Sequence, residues 1–418
     1  MPGSLVGKVD MQPLKNRLSN SLITYHLSRL VRFLLRDEAS SSRLILLGAF
    51  LALVIANSPL GTWYTTFWHT TFSIGLGDWH ITHDLRHWVN EGLMAIFFLV
   101  AGLEIKRELT RGELRKFRAA LLPIGAAVGG MLVPAILYLA LNLGQPGANG
   151  WAIPMATDIA LAIGVLVLLG DRIPPALKIF LLTLAIVDDI GAIVVIALFY
   201  ADYINLLPLL AATGAGGAVL VLGRTKSLSL PAFLLLGIGM WIALHETGIH
   251  ASITGALLGL LAPVRPHKRA KKSVTERLEK MLIPVSAFGI VPLFAFANAG
   301  IHLTPDVFST EDAAFVAAGA WLGLSLGKVV GIAGASWLLV RLGITKLPNM
   351  VTWGHITGAG LIAGIGFTVS MFITDLAFAS NEQLADAAKM SIFAASLTSA
   401  LAGLLCIWKV TRRKVQEN

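Results

Sequence analysis

The stretch IFLLTLAIVDDIGAIVVIALFY (residues 179–200) carries two adjacent carboxylates, Asp188 and Asp189, in the middle of an otherwise uncharged apolar run. As a helix rising 1.5 Å per residue, this run nearly crosses a bilayer, which places both aspartates close to the midplane. Insertion scales put one central Asp at about 2.5–3.5 kcal/mol, so the pair costs roughly 5–7 kcal/mol before any compensation. The pair therefore predicts a site for a cation, a proton, or both in turn.

The composition indicates a polytopic membrane protein. The chain has 418 residues, of which 56% are hydrophobic and 14% charged, and its mean hydropathy is +0.74. The single cysteine, Cys406, excludes an intrachain disulfide. We predict an all-α fold with twelve apolar segments, at residues 44–58, 88–105, 121–142, 151–169, 175–200, 206–222, 231–245, 249–262, 283–300, 313–340, 351–374 and 387–409.

The basic residues alternate between the predicted connections. The two tails and every second loop carry 30 of the 33 Lys and Arg residues, whereas the other loops carry only Arg86 and Lys389, and Lys328 lies inside a segment. By the positive-inside rule, both termini are predicted to be cytoplasmic. The net charge of +9 then reflects topology and contact with membrane lipid, and it does not indicate nucleic-acid binding.

No shift in composition marks a second domain. We predict one transmembrane domain (residues 44–410) between an N-terminal tail (1–43) and a C-terminal tail (411–418). Residues 22–35 of the first tail fit either an interfacial helix or an ordinary cytosolic tail. The loop 59–87 is predicted to lie outside the membrane as a β-hairpin, with a strand over residues 63–74, a turn at 75–78 and a second strand over residues 79–82.

Two apolar segments are interrupted in corresponding places. The fourth contains Pro154 and then Thr157-Asp158, and the eleventh contains Gly364 and Gly366 among several glycines. The fourth and eleventh segments are seven apart in order. Since successive spans alternate in direction, segments an odd number apart cross the membrane in opposite directions, and a repeat of segments 3–5 in segments 10–12 must therefore be inverted. Interrupted spans at matching positions point to the central site of a transporter.

Ionisable groups at the predicted midplane suit cation and proton exchange. They are Asp158, Asp188, Asp189 and Lys328, and three acids against one base leave surplus carboxylates that a purely structural ion pair does not explain. Na⁺ needs oxygen ligands, and a carboxylate can hold Na⁺ or a proton but not both. Broken helices also place partial charges at the midplane, so Asp158 is suited to offset their N-termini and Lys328 their C-termini.

Several motifs closely resemble the NhaA family of bacterial Na⁺/H⁺ antiporters. The resemblance spans segments 1 to 12 and rests on WAIPMATDIA (151–160), ALKIFL (176–181), AIVDDIGA (185–192), GLEIKREL (102–109), PLFAFANAG (292–300), Gly327-Lys328 and GIGFT (364–368). It implies an antiporter of the bacterial inner membrane with inverted repeats and two broken helices, a fold for which this family is a known example. Where other members carry Asn-Asp in segment 2, this chain has Asn90-Glu91.

The resemblance also implies roles for individual residues. Asp189 is similar to the principal Na⁺/Li⁺ and proton ligand, with Asp188 beside it and paired to Lys328 in one protonation state, and Thr157-Asp158 belongs to the crossing of the broken helices. The resemblance implies homodimerisation through the hairpin and no cofactor. The family's cytoplasmic pH-response region maps to Glu104, Arg107, Glu108, His250, Arg277 and Glu279.

The sequence thus predicts an electrogenic, pH-regulated Na⁺(Li⁺)/H⁺ antiporter working by alternating access, with Asp189, Asp188 and Thr157 as Na⁺ ligands. A Na⁺-coupled solute symporter of related architecture is the main alternative. Residues 75–78 (GLGD) match a signature of intramembrane aspartyl proteases, but they fall in a turn-rich loop. A cation channel is disfavoured because gating charges and a repeated filter loop are missing.

Overall fold

The computed structural model describes residues 40–77, 79–115, 117–201, 204–266 and 271–416. The possible interfacial helix at residues 22–35, most of the predicted N-terminal tail and the last two residues of the predicted C-terminal tail lie outside these residues. The described part is mostly helical. Its helices are α1 (Ser40–Ala56), α2 (Gly61–Trp68), α3 (Leu85–Arg111), α4 (Phe117–Asn142), the 3₁₀ helix Pro146–Met155, α5 (Ile159–Val167), α6 (Pro175–Phe199), α7 (Leu206–Arg224), α8 (Leu230–His245), α9 (Ile253–Leu261), α10 (Val274–Asn298), α11 (Glu311–Arg341), α12 (Trp353–Ala363), α13 (Phe367–Ala377) and α14 (Glu382–Gln416).

Helices that could cross a membrane dominate the fold. Within the described residues, seven helices are long and apolar enough to span a bilayer, or up to ten if each strongly bent pair counts as one span. Two of the bent pairs are the predicted broken segments. The 3₁₀ helix Pro146–Met155 meets α5 at 45°, and α12 meets α13 at 46°.

A single antiparallel sheet connects α2 to α3. Strand β1 (Thr71–Leu76) pairs with β2 (Trp79–Asp84), with Ser73 opposite Thr82. Gly77, between the two strands, has a φ of 63°, a left-handed conformation that glycine adopts without strain. The predicted hairpin is confirmed.

The predicted strand over residues 63–74 is wrong in its first half, because Gly61–Trp68 forms helix α2. Aromatic residues favour strands in isolation, but here they pack at helical spacing. Trp63 stacks on Phe67 with a centroid separation of 5.5 Å, and Tyr64 contacts Trp68 edge-on at 6.3 Å. The Tyr64 hydroxyl also donates to the carbonyl oxygen of Phe296, at 2.5 Å, so packing on α10 overrides the local preference.

The helices form two groups. The first bundle consists of three packed pairs: α3 with α9, α1 with α10, and α7 with α8. The second, called the crossing bundle, contains α4, α6, α11 to α14, and the bent pair formed by the 3₁₀ helix Pro146–Met155 and α5. Small residues allow close approach within each group. A Cβ atom at Gly255 of α9 would lie 1.7 Å from the Ala95 carbonyl oxygen, and one at Gly331 of α11 would lie 2.1 Å from that of Gly129.

The two ends of the helices differ in character. The side that carries β1 and β2 is called the hairpin side, and the opposite side, where α3 ends at Arg111 and α10 begins at Val274, is called the basic side. Three spans contain a π-helical turn, at Trp88–Leu93, Ser286–Ile290 and Gly323–Gly327. Such turns are frequent at functional sites.

Candidate functional site

The two bent segments cross where their helices are interrupted. The backbone amide of Asp158 donates to the carbonyl oxygen of Ile365 at 2.6 Å. The Ser370 hydroxyl donates to the carbonyl oxygen of Ile153 at 2.7 Å. Backbone groups that a continuous helix would satisfy internally are therefore satisfied by the other segment, which allows irregular backbone at this depth.

Asp158 neutralises two helix N-termini at once. Its Oδ1 accepts from the amide of Leu161, at 3.0 Å, as the N-cap of α5. Its Oδ2 accepts from the amide of Thr368 at 3.2 Å and from the hydroxyl of the same residue at 2.7 Å, in the first turn of α13. A carboxylate is the complement that two converging positive helix ends require.

The C-terminal ends of the first halves face Lys328 and Thr157. Lys328 donates from Nζ to the carbonyl oxygen of Met155, the last residue of the 3₁₀ helix, at 2.5 Å. The Thr157 hydroxyl lies 2.9 Å from the carbonyl oxygen of Ala363, the last residue of α12, and 2.7 Å from Asp188 Oδ2, so it can donate to one of them at a time. The crossing thus pairs an acid with positive helix ends and donors with negative ones.

Asp188 and Lys328 form an ion pair without solvent contact. Nζ of Lys328 lies 2.6 Å from Asp188 Oδ2, and both side chains are 0% exposed. The lysine begins the helical turn that follows the π-helical turn of α11. The other oxygen of Asp188, Oδ1, is buried and accepts no hydrogen bond. One free lone-pair face therefore remains on a carboxylate that is otherwise fully engaged.

Asp189 lies in a different environment from its neighbour. It lines a cavity of about 150 Å³ together with Glu104, Thr157, Asp158 and Thr368. The cavity extends from the crossing toward the basic side, between α3 and α10. In the described part of the chain, the Asp189 carboxylate makes no hydrogen bond or ion pair, unlike the carboxylates of Asp158 and Asp188. The adjacent aspartates differ because successive helix positions point about 100° apart.

Gly364 and Gly366 permit the close crossing. Both have negative φ, so the reason is space and not backbone conformation. A Cβ atom at Gly364 would lie 2.4 Å from the carbonyl oxygen of Leu324, and one at Gly366 would lie 2.3 Å from the Ser370 hydroxyl. Neither site accepts a larger side chain without moving the crossing backbone.

Comparison with known proteins places this geometry in a family. A family model described as Na⁺/H⁺ antiporter 1 matches residues 32–407. The chain is 41% identical to the Na⁺/H⁺ antiporter NhaA 1 of Clostridium beijerinckii over 405 residues, which covers 97% of this chain and 98% of that protein. It is 42% identical to the Na⁺/H⁺ antiporter NhaA of Helicobacter pylori over 93% of this chain and 97% of that protein.

The chain belongs to the NhaA family of Na⁺/H⁺ antiporters. The family resemblance read from the sequence motifs is confirmed, and members of this family are transporters, not enzymes, that need no cofactor. Within the described residues, no group of three or more His, Cys, Asp and Glu side chains is arranged to hold a metal ion.

Five of the six residues predicted to take part in pH response lie toward the basic side. Arg107 Nη1 of α3 lies 3.9 Å from Glu279 Oε1 of α10, and Glu108 accepts from the amide of Glu113 at 3.1 Å. Arg277 is exposed. Glu104, one turn before Glu108, instead reaches the cavity of Asp189.

The sixth residue predicted for pH response, His250, lies apart from the other five. Its Nδ1 lies 3.0 Å from Oε1 of Glu91, near the hairpin end of α3. The other oxygen of Glu91 accepts from the amide of Ser252 at 2.9 Å. Sequence motifs do not reveal this separation, because it depends on α9 starting beside the hairpin end of α3 and running along it.

Sequence reasoning also understated two residues. Thr368 was noted only as following the glycines, yet its amide and hydroxyl both bind Asp158. Glu104 is predicted to take part in pH response, and its position in the cavity also places a second acid near Asp189. The signal was available, because Glu104 is the acid nearest the end of the apolar run 88–105.

Proposed function

We propose that this protein is an electrogenic Na⁺(Li⁺)/H⁺ antiporter that exports Na⁺ in exchange for inward protons by alternating access. The names of the relatives support Na⁺ and H⁺ as the transported ions. The observation that carries the proposal is the contrast between two adjacent acids. Asp188 is engaged by Lys328 and Thr157, whereas Asp189 lines the cavity beside them.

Exchange follows from competition at Asp189. A hard cation that enters the cavity must replace its hydration water with oxygen ligands. Asp189 supplies a carboxylate, and Thr157 and Asp188 Oδ1 supply neighbouring oxygen atoms. A proton on Asp189 removes the negative charge that the cation needs. One ligand that holds either ion, but not both, couples their movement in opposite directions.

Electrogenic exchange requires more than one proton for each Na⁺. The Asp188–Lys328 pair can supply the second, because a cation that engages Asp188 competes with the lysine ammonium for the same carboxylate. A proton held by this pair in the absence of Na⁺ would then be released as Na⁺ binds. Net charge movement makes the exchange respond to membrane potential, at about 2.3 kcal/mol per charge per 100 mV.

The architecture we propose has twelve spans in a bacterial inner membrane, with both termini cytoplasmic and the hairpin outside. The distribution of Lys and Arg supports this orientation. Opposite chain directions support an inverted repeat of segments 3–5 and 10–12. The 3₁₀ helix leads from the hairpin side to the crossing and α5 continues toward the basic side, whereas α12 leads from the basic side and α13 continues toward the hairpin.

Regulation and assembly complete the proposal. The charged cluster of Arg107, Glu108 and Glu279 lines a surface cavity of about 210 Å³ on the basic side, close to Glu104, which suits a pH response. Exposed apolar side chains on the hairpin, Phe72 at 51% and Ile74 at 50%, support a homodimer through this element. Replacement of both by Asp should give monomers in size-exclusion chromatography with light scattering, and an unchanged mass would refute the hairpin interface.

The decisive assay is collapse of a preset ΔpH in everted membrane vesicles. Addition of Na⁺ or Li⁺ without any organic solute should dissipate ΔpH for the parent protein, which separates antiport from Na⁺-coupled symport. Asp189→Asn should abolish this response. The matched control is Asp306→Asn, which removes an exposed carboxylate outside the predicted spans. Retained exchange with normal apparent Na⁺ affinity in Asp189→Asn would overturn the site assignment.

A further inference from the structure

The hairpin side of the cavity is closed by two layers of side chains that neither the exchange site nor the pH-response cluster uses. Three helices, α3, α10 and α13, contribute to both layers. On α10, the cavity-lining Val291 is followed three residues later by Phe294 and then by Asn298. On α13, the cavity-lining Val369 is followed by Phe372 and then by Asp375.

The inner layer is aromatic. Phe98 of α3 and Phe372 of α13 contact each other with a centroid separation of 5.4 Å, and Phe294 of α10 lies 6.4 Å from Phe372. Their exposed fractions are 3%, 0% and 0% in the order Phe98, Phe294, Phe372. A dry layer of this kind blocks a hydrated cation, since it offers no oxygen ligands.

The outer layer is a chain of polar contacts. Asn298 donates from Nδ2 to Asn90 Oδ1 at 2.8 Å, and Asn90 donates from Nδ2 to Asp375 Oδ2 at 3.1 Å. The other oxygen of Asp375 lies 2.5 Å from Nζ of Lys389. The chain therefore runs through α10, α3, α13 and α14.

Only one of these polar contacts joins the two bundles. Asn298 and Asn90 both belong to the first bundle, whereas Asp375 and Lys389 both belong to the crossing bundle. Among these four residues, the Asn90–Asp375 hydrogen bond is the contact that crosses between the bundles. Asn90 lies in the π-helical turn Trp88–Leu93, a type of turn that often marks functional positions.

Lys389 makes the acid at this position tolerable. Asp375 lies in the last turn of α13, where the helix dipole disfavours a negative charge. The Lys389 side chain is only 5% exposed and compensates that charge within its own bundle. It is also one of just two basic residues in the loops that the sequence assigns to the hairpin side. Lys389 is thus a positioning residue that holds the Asp375 carboxylate within reach of Asn90.

We propose that the Asn90–Asp375 hydrogen bond, supported by Lys389, is a hairpin-side gate that holds the two bundles together while the cavity of Asp189 is open toward the basic side. Breaking this bond and parting the aromatic layer opens Asp189 to the hairpin side. The proposal rests on the alternating access proposed above. One hydrogen bond to a charged acceptor shifts a two-state equilibrium by about ten- to a hundredfold, which is enough to bias the cycle without stopping it.

Thiol accessibility tests the gate without relying on transport. In a Cys406→Ser background, which removes the single native cysteine, Val291→Cys places a reporter at the cavity end of the barrier. A membrane-impermeant maleimide is applied to intact cells and to everted vesicles. With the gate intact, labelling should occur from the basic side and be slow from the hairpin side.

Two gate variants and two matched controls are compared on this reporter. Asn90→Ala should raise the ratio of hairpin-side to basic-side labelling rates at least tenfold. The double variant Asp375→Asn with Lys389→Met should do the same without leaving a buried unpaired lysine. The controls are Asn205→Ala and Asp306→Asn, whose side chains are exposed, and they should leave the ratio unchanged.

Failure of the proposed gate and failure of the proposed antiport give different results. Labelling ratios that stay at the parent value in both folded, monodisperse gate variants would overturn the gate, whatever the transport assay shows. If the gate variants shift the labelling ratio but the parent protein shows no Na⁺-dependent collapse of ΔpH, the gate would be supported and the proposed antiport refuted. A disulfide or short bifunctional cross-link between Asn90→Cys and Asp375→Cys should block exchange until it is cleaved, and unimpaired exchange in the cross-linked protein would also overturn the proposal.

Discussion

Lys328→Met offers the most informative perturbation of the exchange site. The change keeps an unbranched chain of similar length and removes the ammonium that lies 2.6 Å from Asp188 Oδ2. Both side chains are 0% exposed, so water does not screen the pair. At an effective dielectric constant of about 20, charge centres about 4 Å apart attract by about 4 kcal/mol. Breaking a buried pair by removing one partner costs a similar 3–5 kcal/mol.

The loss should depend on pH in a defined direction. In Lys328→Met, the unpaired Asp188 can be neutralised by binding a proton that the unfolded chain does not bind at neutral pH. The native variant then binds more protons than the unfolded one, so its stability falls as pH rises, by at most about 1.4 kcal/mol per pH unit for one carboxylate.

Reversible unfolding by SDS in mixed micelles at pH 6 and pH 8.5 measures this loss for the parent, Lys328→Met, Asp188→Asn and the double variant. The double variant should recover much of the stability and lose the pH dependence, because no unpaired charge remains. The expected coupling energy between the two sites is about 2–3 kcal/mol, in the upper range for directly interacting residues. A coupling energy within about 0.5 kcal/mol of zero, or a loss that does not change with pH, would refute the reasoning.

Three further predictions follow from the described contacts. Asp158→Ala should destabilise the protein by roughly 1–4 kcal/mol, because two helices lose their cap. Asp158→Asn should cost about 1–2 kcal/mol, since the amide oxygen still accepts hydrogen bonds. Equal losses of stability for the two variants in thermal-shift or SDS unfolding would contradict the double-cap role. Thr157→Val should weaken the apparent Na⁺ affinity in vesicle assays. It should also lower the free energy of unfolding by about 1–3 kcal/mol, because the Ala363 carbonyl oxygen loses its donor, whereas Thr157→Ser should behave as the parent. An unaltered Na⁺ affinity in the Val variant would exclude the hydroxyl as a ligand. Burial, reinforced by the neighbouring His245, lowers the pKa of His83 below its ordinary 6.5, so the folded hairpin resists protonation and should lose stability as pH falls through and below about 6.5. Amide hydrogen exchange in residues 71–84, corrected for intrinsic rates, should accelerate over that range and become flat in His83→Gln, and a flat parent profile would contradict it.

The centre of the site could be predicted because charge inside an apolar run is visible without knowing the fold. Asp188, Asp189 and Lys328 each stand alone in long hydrophobic stretches, and Pro154 and the glycines of the eleventh segment mark broken helices. Which acid pairs with the lysine is a question of side-chain direction. The family resemblance implied Asp188, and the 2.6 Å contact shows it.

The remaining features depend on contacts between distant parts of the chain. Residues 61–68 look like a strand by propensity, but aromatic packing of Tyr64 against α10 makes them helical. His250 was grouped with the basic side because spacing along the chain does not reveal that it reaches Glu91. Asp375 and Lys389 look like ordinary charges at the ends of segments, and only the tertiary structure brings them together with Asn90.

The central claim is that one carboxylate, Asp189, holds either Na⁺ or a proton. Isothermal titration of the purified protein with Na⁺ at a series of pH values tests it most directly. If a proton competes for the same carboxylate, the apparent Kd for Na⁺ should rise about tenfold for each unit by which the pH falls below the pKa of that carboxyl. Binding heats measured in buffers of different ionisation enthalpy should report the release of the proton. Asp189→Asn should show no saturable Na⁺ binding. An apparent Kd that does not vary with pH, or Na⁺ binding retained in Asp189→Asn, would contradict the account.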